Sequence, residues 1–188
     1  MPGEATTIIT SHLSPGERLL WAGRPKQGLL LRGEDAFLIP FSLIWSLPVL
    51  SRLSSRAVLS NPIDLLFLVM GLYLLVGRFI VDAWLRSRTY YGVTDRHGVI
   101  IRLSTAAEMQ SVSLTSLSYL KLTLRRGGTG TIEIGRPRKS SIFGPRASRA
   151  FPFPGAHDYL PPAFEAIPNA REVYDLIVRT QQHTLQAL

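Results

Sequence analysis

The sequence contains no cysteine, which excludes disulfide bonds, thiol catalysis and cysteine-ligated metal sites. No serine lies in a G-x-S-x-G context, and residues 127–130 (GGTG) lack the Lys-Ser/Thr pair that completes a phosphate-binding loop. The histidines are scattered and show no metal-ligand spacing: His12, His97, His157 and His183. We therefore expect no enzyme activity, no metal site and no cofactor.

The first residues also lack the basic segment and following apolar segment of a cleaved signal peptide. We therefore expect the N-terminus to stay in the cytoplasm, with residues 1–13 forming a flexible tail.

Charge is missing from two long apolar runs, which span residues 36–51 and 65–77. Roughly 20 helical residues cross a hydrocarbon core, so helices over 36–53 and 63–85 predict a transmembrane hairpin at 36–85. Two buried helices of a soluble protein are the alternative. Core helices usually carry a polar stripe, however, and residues 65–76 show none.

Positive charge around the hairpin predicts its orientation. The connecting loop contains Arg52 and Arg56, whereas six basic residues flank the hairpin: Arg24, Lys26, Arg32, Arg86, Arg88 and Arg96. The positive-inside rule then predicts that both termini of a multi-pass protein lie in the cytoplasm.

The end of the second helix is typical of a membrane–water interface, where aromatic and basic side chains gather. Arg78, Asp82 and Arg86 share one helix face, so that Asp82 can pair with either arginine. The predicted interface residues are Arg78, Asp82, Trp84, Arg86, Arg88 and Tyr90.

Residues 14–35 precede the hairpin and permit two interpretations. They form either a β-hairpin that joins the later sheet or an interfacial connector containing Trp21. After Arg88, apolar and polar residues alternate over 99–103, 118–124 and 132–134, which predicts an antiparallel sheet or small barrel. Residues 151–168 are proline-rich, and a C-terminal helix over about 170–182 would cover the sheet.

The net charge of +8 is concentrated in the C-terminal part. Eight basic residues between 121 and 149 form a candidate patch for anionic lipid headgroups or a protein partner: Lys121, Arg125, Arg126, Arg136, Arg138, Lys139, Arg146 and Arg149. A solvated basic face is the alternative. Nucleic acid is the least favoured ligand, because no aromatic residues are interleaved from 121 to 141.

The chain resembles bacterial membrane-anchored proteins that contain a pleckstrin-homology-like (PH-like) domain, a family of unknown function. The resemblance is carried by residues 16–23 (GERLLWAG), the two apolar runs, residues 91–96 (YGVTDR) leading into 99–101, and the helix at 169–178. It implies a location in the bacterial inner membrane and a cytoplasmic PH-like domain over 86–188, with residues 14–35 as a candidate part of that domain. It does not imply phosphoinositide binding, because a fold does not fix a function.

Two functions follow as hypotheses. The chain is a membrane-anchored, non-enzymatic interaction module that docks on anionic lipid or on a partner through its basic face. Alternatively, it is an accessory subunit of a larger membrane transport or envelope-stress complex, in which the proline-containing first helix contacts a membrane protein or a second copy.

Overall fold

The computed structural model describes residues 2–31, 33, 35–52, 61–103, 107–125, 128–135 and 160–186. The helices are α1 (Pro2–Thr10), α2 (Asp35–Arg52), α3 (Pro62–Ser87) and α4 (Ala170–Gln186). The strands are β1 (Leu19–Gly23), β2 (Thr89–Thr94), β3 (His97–Leu103), β4 (Ala107–Ser113), β5 (Leu120–Leu124), β6 (Thr129–Ile134) and β7 (Ala163–Pro168). A π-helical turn, Tyr73–Gly77, interrupts α3.

The strands pair in antiparallel fashion, as the alternating pattern predicts, but they form two separate sheets, which was not predicted. Sheet 1 has the order β1-β2-β3-β4, and sheet 2 has the order β5-β6-β7. The predicted C-terminal helix is α4, which extends to Gln186 and packs on β5 and β6. We call the two sheets with α1 and α4 the sheet domain, and α2 with α3 the helix pair.

The helix pair is inserted between two neighbouring strands of sheet 1. Strand β1 precedes α2 and β2 follows α3, yet Gly23 lies opposite Tyr91 and Leu19 opposite Thr94. The β-hairpin predicted within residues 14–35 is therefore wrong, because residues 29–31 form no strand and β1 pairs with β2 instead. The segment before the helices is nevertheless part of the sheet.

The main core lies between the two sheets and α4. Phe164 is fully buried at its centre, and its ring centroid lies 5.0 Å from that of Tyr91 and 6.0 Å from that of Trp21. Alternating residues of β6 and one face of α4 complete this core: Ile132, Ile134, Val173 and Ile177. The alternation that predicts strands also selects the side chains that sheet 2 buries.

The opposite face of sheet 1 is covered by α1. Ala5 and Ile9 are fully buried there against Tyr90, Val99 and Ile101. The prediction of a flexible tail over 1–13 is therefore wrong. Strand β3 is apolar on both faces, as the consecutive residues 99–101 show, and its second face needs an apolar cover.

The sheet domain has two ends, which the strand directions define. The helix-proximal end contains Gly23 and Thr89, which adjoin the helix pair in sequence, together with Leu103, whose amide donates to the Arg88 carbonyl. The helix-distal end contains Thr94 and His97, where β2 turns into β3. In sheet 2, Lys26 N–H donates to Ala166 O of β7 at 2.8 Å, so the end of β7 lies at the helix-proximal end. The start of β6, which pairs with the end of β7, and the start of α4 therefore lie at the same end.

Candidate membrane-contact site

The two helices pack in antiparallel fashion through small residues. Gly71 of α3 faces Ser46 of α2 so closely that a Cβ at position 71 would collide with the Ser46 hydroxyl. One helical turn away, the rings of Trp45 and Phe67 stack at 5.1 Å. Small residues at a helix crossing permit the close backbone approach that is common between membrane helices.

Many large apolar side chains of the helix pair are exposed. We call these exposed residues the apolar belt: Phe37, Phe41, Leu43, Ile44, Trp45 and Leu47 on α2, and Ile63, Leu65, Leu66, Phe67, Val69, Met70, Leu72, Val76, Ile80 and Trp84 on α3. A soluble core helix would bury such residues, but only 17% of the apolar window of α3 is buried.

Among the described residues, one helix is long and apolar enough to cross a membrane, namely Pro62–Ser87. Its 26 residues extend over about 39 Å. The apolar part of α2, Asp35–Pro48, is shorter than a full span.

Polar side chains are buried between the helices, although the exposed surface of the pair is apolar. Arg78 Nη1 lies 2.8 Å from Asp35 Oδ1, and the Arg78 side chain is only 3% exposed. The Ser42 and Ser46 hydroxyls, also buried, donate to the carbonyls of Leu38 and Ser42. Of the two predicted partners for Asp82, the structure selects Arg86, while Arg78 pairs with a residue that the helical spacing did not indicate.

Arg86 joins the end of α3 to the chain that precedes α2. Its Nε and Nη2 donate to Asp82 Oδ2 at 2.9 and 2.8 Å, and its Nη1 and Nη2 donate to the carbonyls of Lys26 and Gly28. Gln27 returns a hydrogen bond to the Arg86 carbonyl at 3.3 Å. A bidentate, buried guanidinium with this many acceptors holds the connector rigidly on the helix.

A second arginine extends this junction to α1. Arg24 donates to the Ser87 carbonyl and to Glu4 at 2.8 Å, and its guanidinium lies 4.7 Å from the centroid of the Tyr90 ring. The Tyr90 hydroxyl donates to Glu4 Oε1 at 2.8 Å. Burial and the hydrogen bond to Glu4 both raise the pKa of Tyr90. Tyr90, predicted at the membrane interface, is thus buried beneath α1.

Trp84 and Arg88, two of the predicted interface residues, are both exposed at the end of α3. The Arg88 guanidinium stacks over the Trp84 ring at 4.7 Å from its centroid. This arrangement places an aromatic ring on the apolar side and a cation on the polar side of the same helix face.

The predicted basic patch is only partly described. Arg126, Arg136, Arg138, Lys139, Arg146 and Arg149 lie outside the described residues. Lys121 is exposed and lies opposite Glu133 towards the helix-distal end, whereas Arg125 is exposed at the helix-proximal end. Strand β6 ends and β7 begins at the helix-distal end.

Glu17, Thr94 and His97 form a cluster that the sequence did not predict as a site. Glu17 Oε1 accepts from the Thr94 hydroxyl and lies 2.9 Å from His97 Nδ1 at the helix-distal end. Burial alone would raise the pKa of Glu17, but hydrogen bonds from Thr94, His97 and the Ser14 amide outweigh it and lower the pKa. The described residues contain no group of three or more side chains suited to a metal ion.

The exit of α3 therefore combines an apolar belt, an aromatic–cation pair and a rigid link to the sheet domain. The resemblance to membrane-anchored PH-like proteins stays a prediction. No match to this chain is found among protein-family models, curated proteins or solved structures.

Proposed function

We propose that the chain is a membrane-anchored, non-enzymatic PH-like interaction module. In this proposal α2 and α3 form a helical hairpin in the bacterial inner membrane, and both termini and the sheet domain lie in the cytoplasm. The part of the predicted basic patch within residues 136–149, called the basic segment, docks on anionic lipid or on an acidic protein partner.

The observation that carries the proposal is the inverted polarity of the helix pair. Its outer surface is apolar over the length of α3, while Asp35 and Arg78 are paired inside. An apolar solvent favours this arrangement, because ionisable residues of membrane helices face the interior of the bundle and pair there.

The junction at Arg86 supports a fixed position of the sheet domain on the membrane. Arg86 holds Lys26 and Gly28 against the last turn of α3, so both crossings between helices and sheet lie at one end of the helix pair. A hairpin with one end tied in this way places both termini on the same side, in agreement with the charge asymmetry.

The strand arrangement is compatible with a PH-like domain. Two antiparallel sheets, one of four strands and one of three, are followed by a helix that covers the core, which is the arrangement that the resemblance implies. Ile134 and Pro162, which are joined by a hydrogen bond on either side of residues 136–159, lie at the helix-distal end of sheet 2. This position, away from the helix pair, favours an acidic protein partner in the cytoplasm over the membrane.

The test uses the full chain, because β1 and α1 complete sheet 1 and a fragment over 86–188 would lack both. The protein is placed in nanodiscs of phosphatidylglycerol or phosphatidylcholine, and the triple variant R136E/R138E/K139E is compared with the exposed α4 control R171E. The wild-type chain is expected to capture an acidic protein from solubilised inner membranes and cytoplasm, and the triple variant to lose it. Equal capture by the two variants would contradict docking through the basic segment.

A second candidate, the accessory subunit of a larger membrane complex, is favoured by the prolines of α2. Pro40 and Pro48 lack amide hydrogens, so the carbonyls of Ala36 and Ile44 receive no hydrogen bond from the next helical turn. All four residues are exposed. Such carbonyls in a bilayer favour a neighbouring helix with polar donors, from a membrane partner or a second copy.

Mild extraction followed by mass measurement tests this second candidate. A complex larger than the monomer is expected, and P40A/P48A should weaken it by restoring the intrahelical hydrogen bonds. P15A, an exposed substitution outside the helices, is the control. A monomer at native expression levels would argue against the subunit.

A further inference from the structure

Three large apolar side chains are exposed at the helix-proximal end of the sheet domain, outside the apolar belt. Leu29 and Leu31, which precede α2, are 75% and 69% exposed, and Leu124, at the end of β5, is 50% exposed. Scattered exposed leucines need no explanation, but a group of them marks a contact surface.

A contact between their neighbours indicates that these leucines form a group. Arg125 Nη1 lies 3.5 Å from the Leu31 carbonyl oxygen, so the end of β5 lies beside the connector that leads into α2. Leu124 immediately precedes Arg125. The three leucines therefore border one region, although they are distant in sequence.

Exposed cations accompany the leucines. Arg125 follows Leu124, and Lys26 lies three residues before Leu29; both side chains are exposed. Aliphatic side chains next to lysine and arginine suit the boundary between acyl chains and anionic headgroups.

The position of this group relative to α3 is fixed by hydrogen bonds. Arg86 donates to the carbonyls of Lys26 and Gly28, and Lys26 N–H donates to Ala166 O of β7. The leucines are thus tied to the same end of α3 that carries the exposed Trp84 and Arg88.

We propose that Leu29, Leu31 and Leu124, the leucine lip, insert into the interfacial layer of an anionic bilayer, with Lys26 and Arg125 on headgroup phosphates. The inference rests on the proposed function, since a bilayer reaches the lip only if the helix pair is inserted. It gives sheet 2 a membrane attachment of its own and sets the orientation of the sheet domain. A protein that covers the leucines is the competing occupant.

Because the chain contains no cysteine, a single introduced cysteine is the only thiol to which a spin label can attach. Single variants L31C, L124C, L66C and Y119C carry a nitroxide in phosphatidylglycerol nanodiscs, and electron paramagnetic resonance measures collisions with oxygen and with a water-soluble nickel chelate. Leu66 reports on the apolar belt. Tyr119 is the matched control: it precedes β5 at the helix-distal end and is 41% exposed.

We expect oxygen to dominate at Leu66, and the oxygen-to-nickel ratio at Leu31 and Leu124 to exceed that at Tyr119 several-fold. If Leu66 is lipid-exposed while Leu124 behaves like Tyr119, the lip is overturned and the membrane anchor stands. If nickel reaches Leu66, the proposed function itself fails. If neither oxygen nor the nickel chelate reaches Leu124, a protein covers the leucine lip, and the proposal that the lip inserts into lipid is overturned.

The charged part of the proposal is tested with R125E in the L124C background. In phosphatidylglycerol, this change should lower the oxygen-to-nickel ratio at Leu124 several-fold, and in phosphatidylcholine it should have little effect. R96E, an exposed position between β2 and β3 at the helix-distal end, is the control. Equal behaviour of R125E and R96E in anionic lipid would overturn the role of Arg125.

Discussion

The helix pair and the sheet domain distribute polarity in opposite ways. The sheet domain buries Phe164, Ile132 and Ile177 at its centre, whereas the helix pair exposes phenylalanine and leucine and buries Asp35 and Arg78. If the helix pair lies in a bilayer, as proposed, the difference reflects two solvents. Water drives apolar side chains inward, and a hydrocarbon solvent removes that driving force and leaves close packing and polar contacts to hold helices together.

The largest expected effect compares one phenylalanine from each region. Phe164 is fully buried, so F164A should lower the free energy of unfolding of the sheet domain by about 4 kcal/mol. Phe37 is 72% exposed, and F37A should change it by less than about 0.5 kcal/mol. Thermal unfolding in detergent micelles, followed by circular dichroism, measures both. Similar losses in the two variants would contradict the difference between the regions.

The next effect concerns the junction between the regions. R86A removes the hydrogen bonds to Asp82, Lys26 and Gly28, and should cost about 3 kcal/mol. Limited proteolysis should then cut faster near residues 24–28. R86K is the control, because an ammonium keeps the charge but cannot reproduce the bidentate contacts, so an intermediate cleavage rate is expected. Unchanged cleavage in R86A would show that the junction does not depend on this side chain.

A smaller effect is expected within the helix pair. G71V places side-chain atoms where the Ser46 hydroxyl lies, and should cost about 2 kcal/mol by separating the helices. Separation should change the fluorescence of Trp45, which stacks on Phe67. S46G in the same chain should restore much of the signal. Failure of this rescue would mean that position 71 acts through something other than Ser46.

The smallest effect is pH-dependent and lies at the helix-distal end. Hydrogen bonds hold the pKa of Glu17 below its ordinary value, so its stabilisation is present at neutral pH and is lost as pH falls through the folded-state pKa. E17Q should therefore cost about 1.5 kcal/mol at neutral pH and progressively less below pH about 4.5. Unfolding titrations across this range measure the difference, with the exposed α4 substitution D175N as control. A pH-independent difference would contradict the assignment.

Periodicity explains which elements could be predicted from the sequence. Helices α2, α3 and α4 and strands β3, β5 and β6 have strong apolar patterns, and all six lie close to their predicted positions. Strand β4 (AEMQSVS) is an edge strand without regular apolar alternation. Strand β7 lies in a proline-rich segment, where Ala166 adopts a positive φ of 49° at an irregular position of the ladder.

The site could be predicted in composition but not in pairing. Charged and aromatic residues at the end of α3 predict a membrane–water interface, and this stays a prediction. The backbone carbonyls that Arg86 contacts lie some 60 residues away and could not be predicted. Every residue has a main-chain carbonyl, so the sequence does not show which carbonyls will accept a hydrogen bond from a side chain. Asp35 and Arg78 are likewise brought together only by the helix crossing.

The pairing of β1 with β2 couples two events in biosynthesis. Gly23 finds its neighbour Tyr91 only after both helices have been synthesised, because the whole helix pair separates the two strands. A contact between strands so distant in sequence forms slowly, because the long intervening chain must first be closed into a loop. If the helices enter the bilayer, sheet 1 is completed only in chains whose two helices return to the same side. In any other chain, β1 and β2 would lie on opposite sides of the membrane and could not pair.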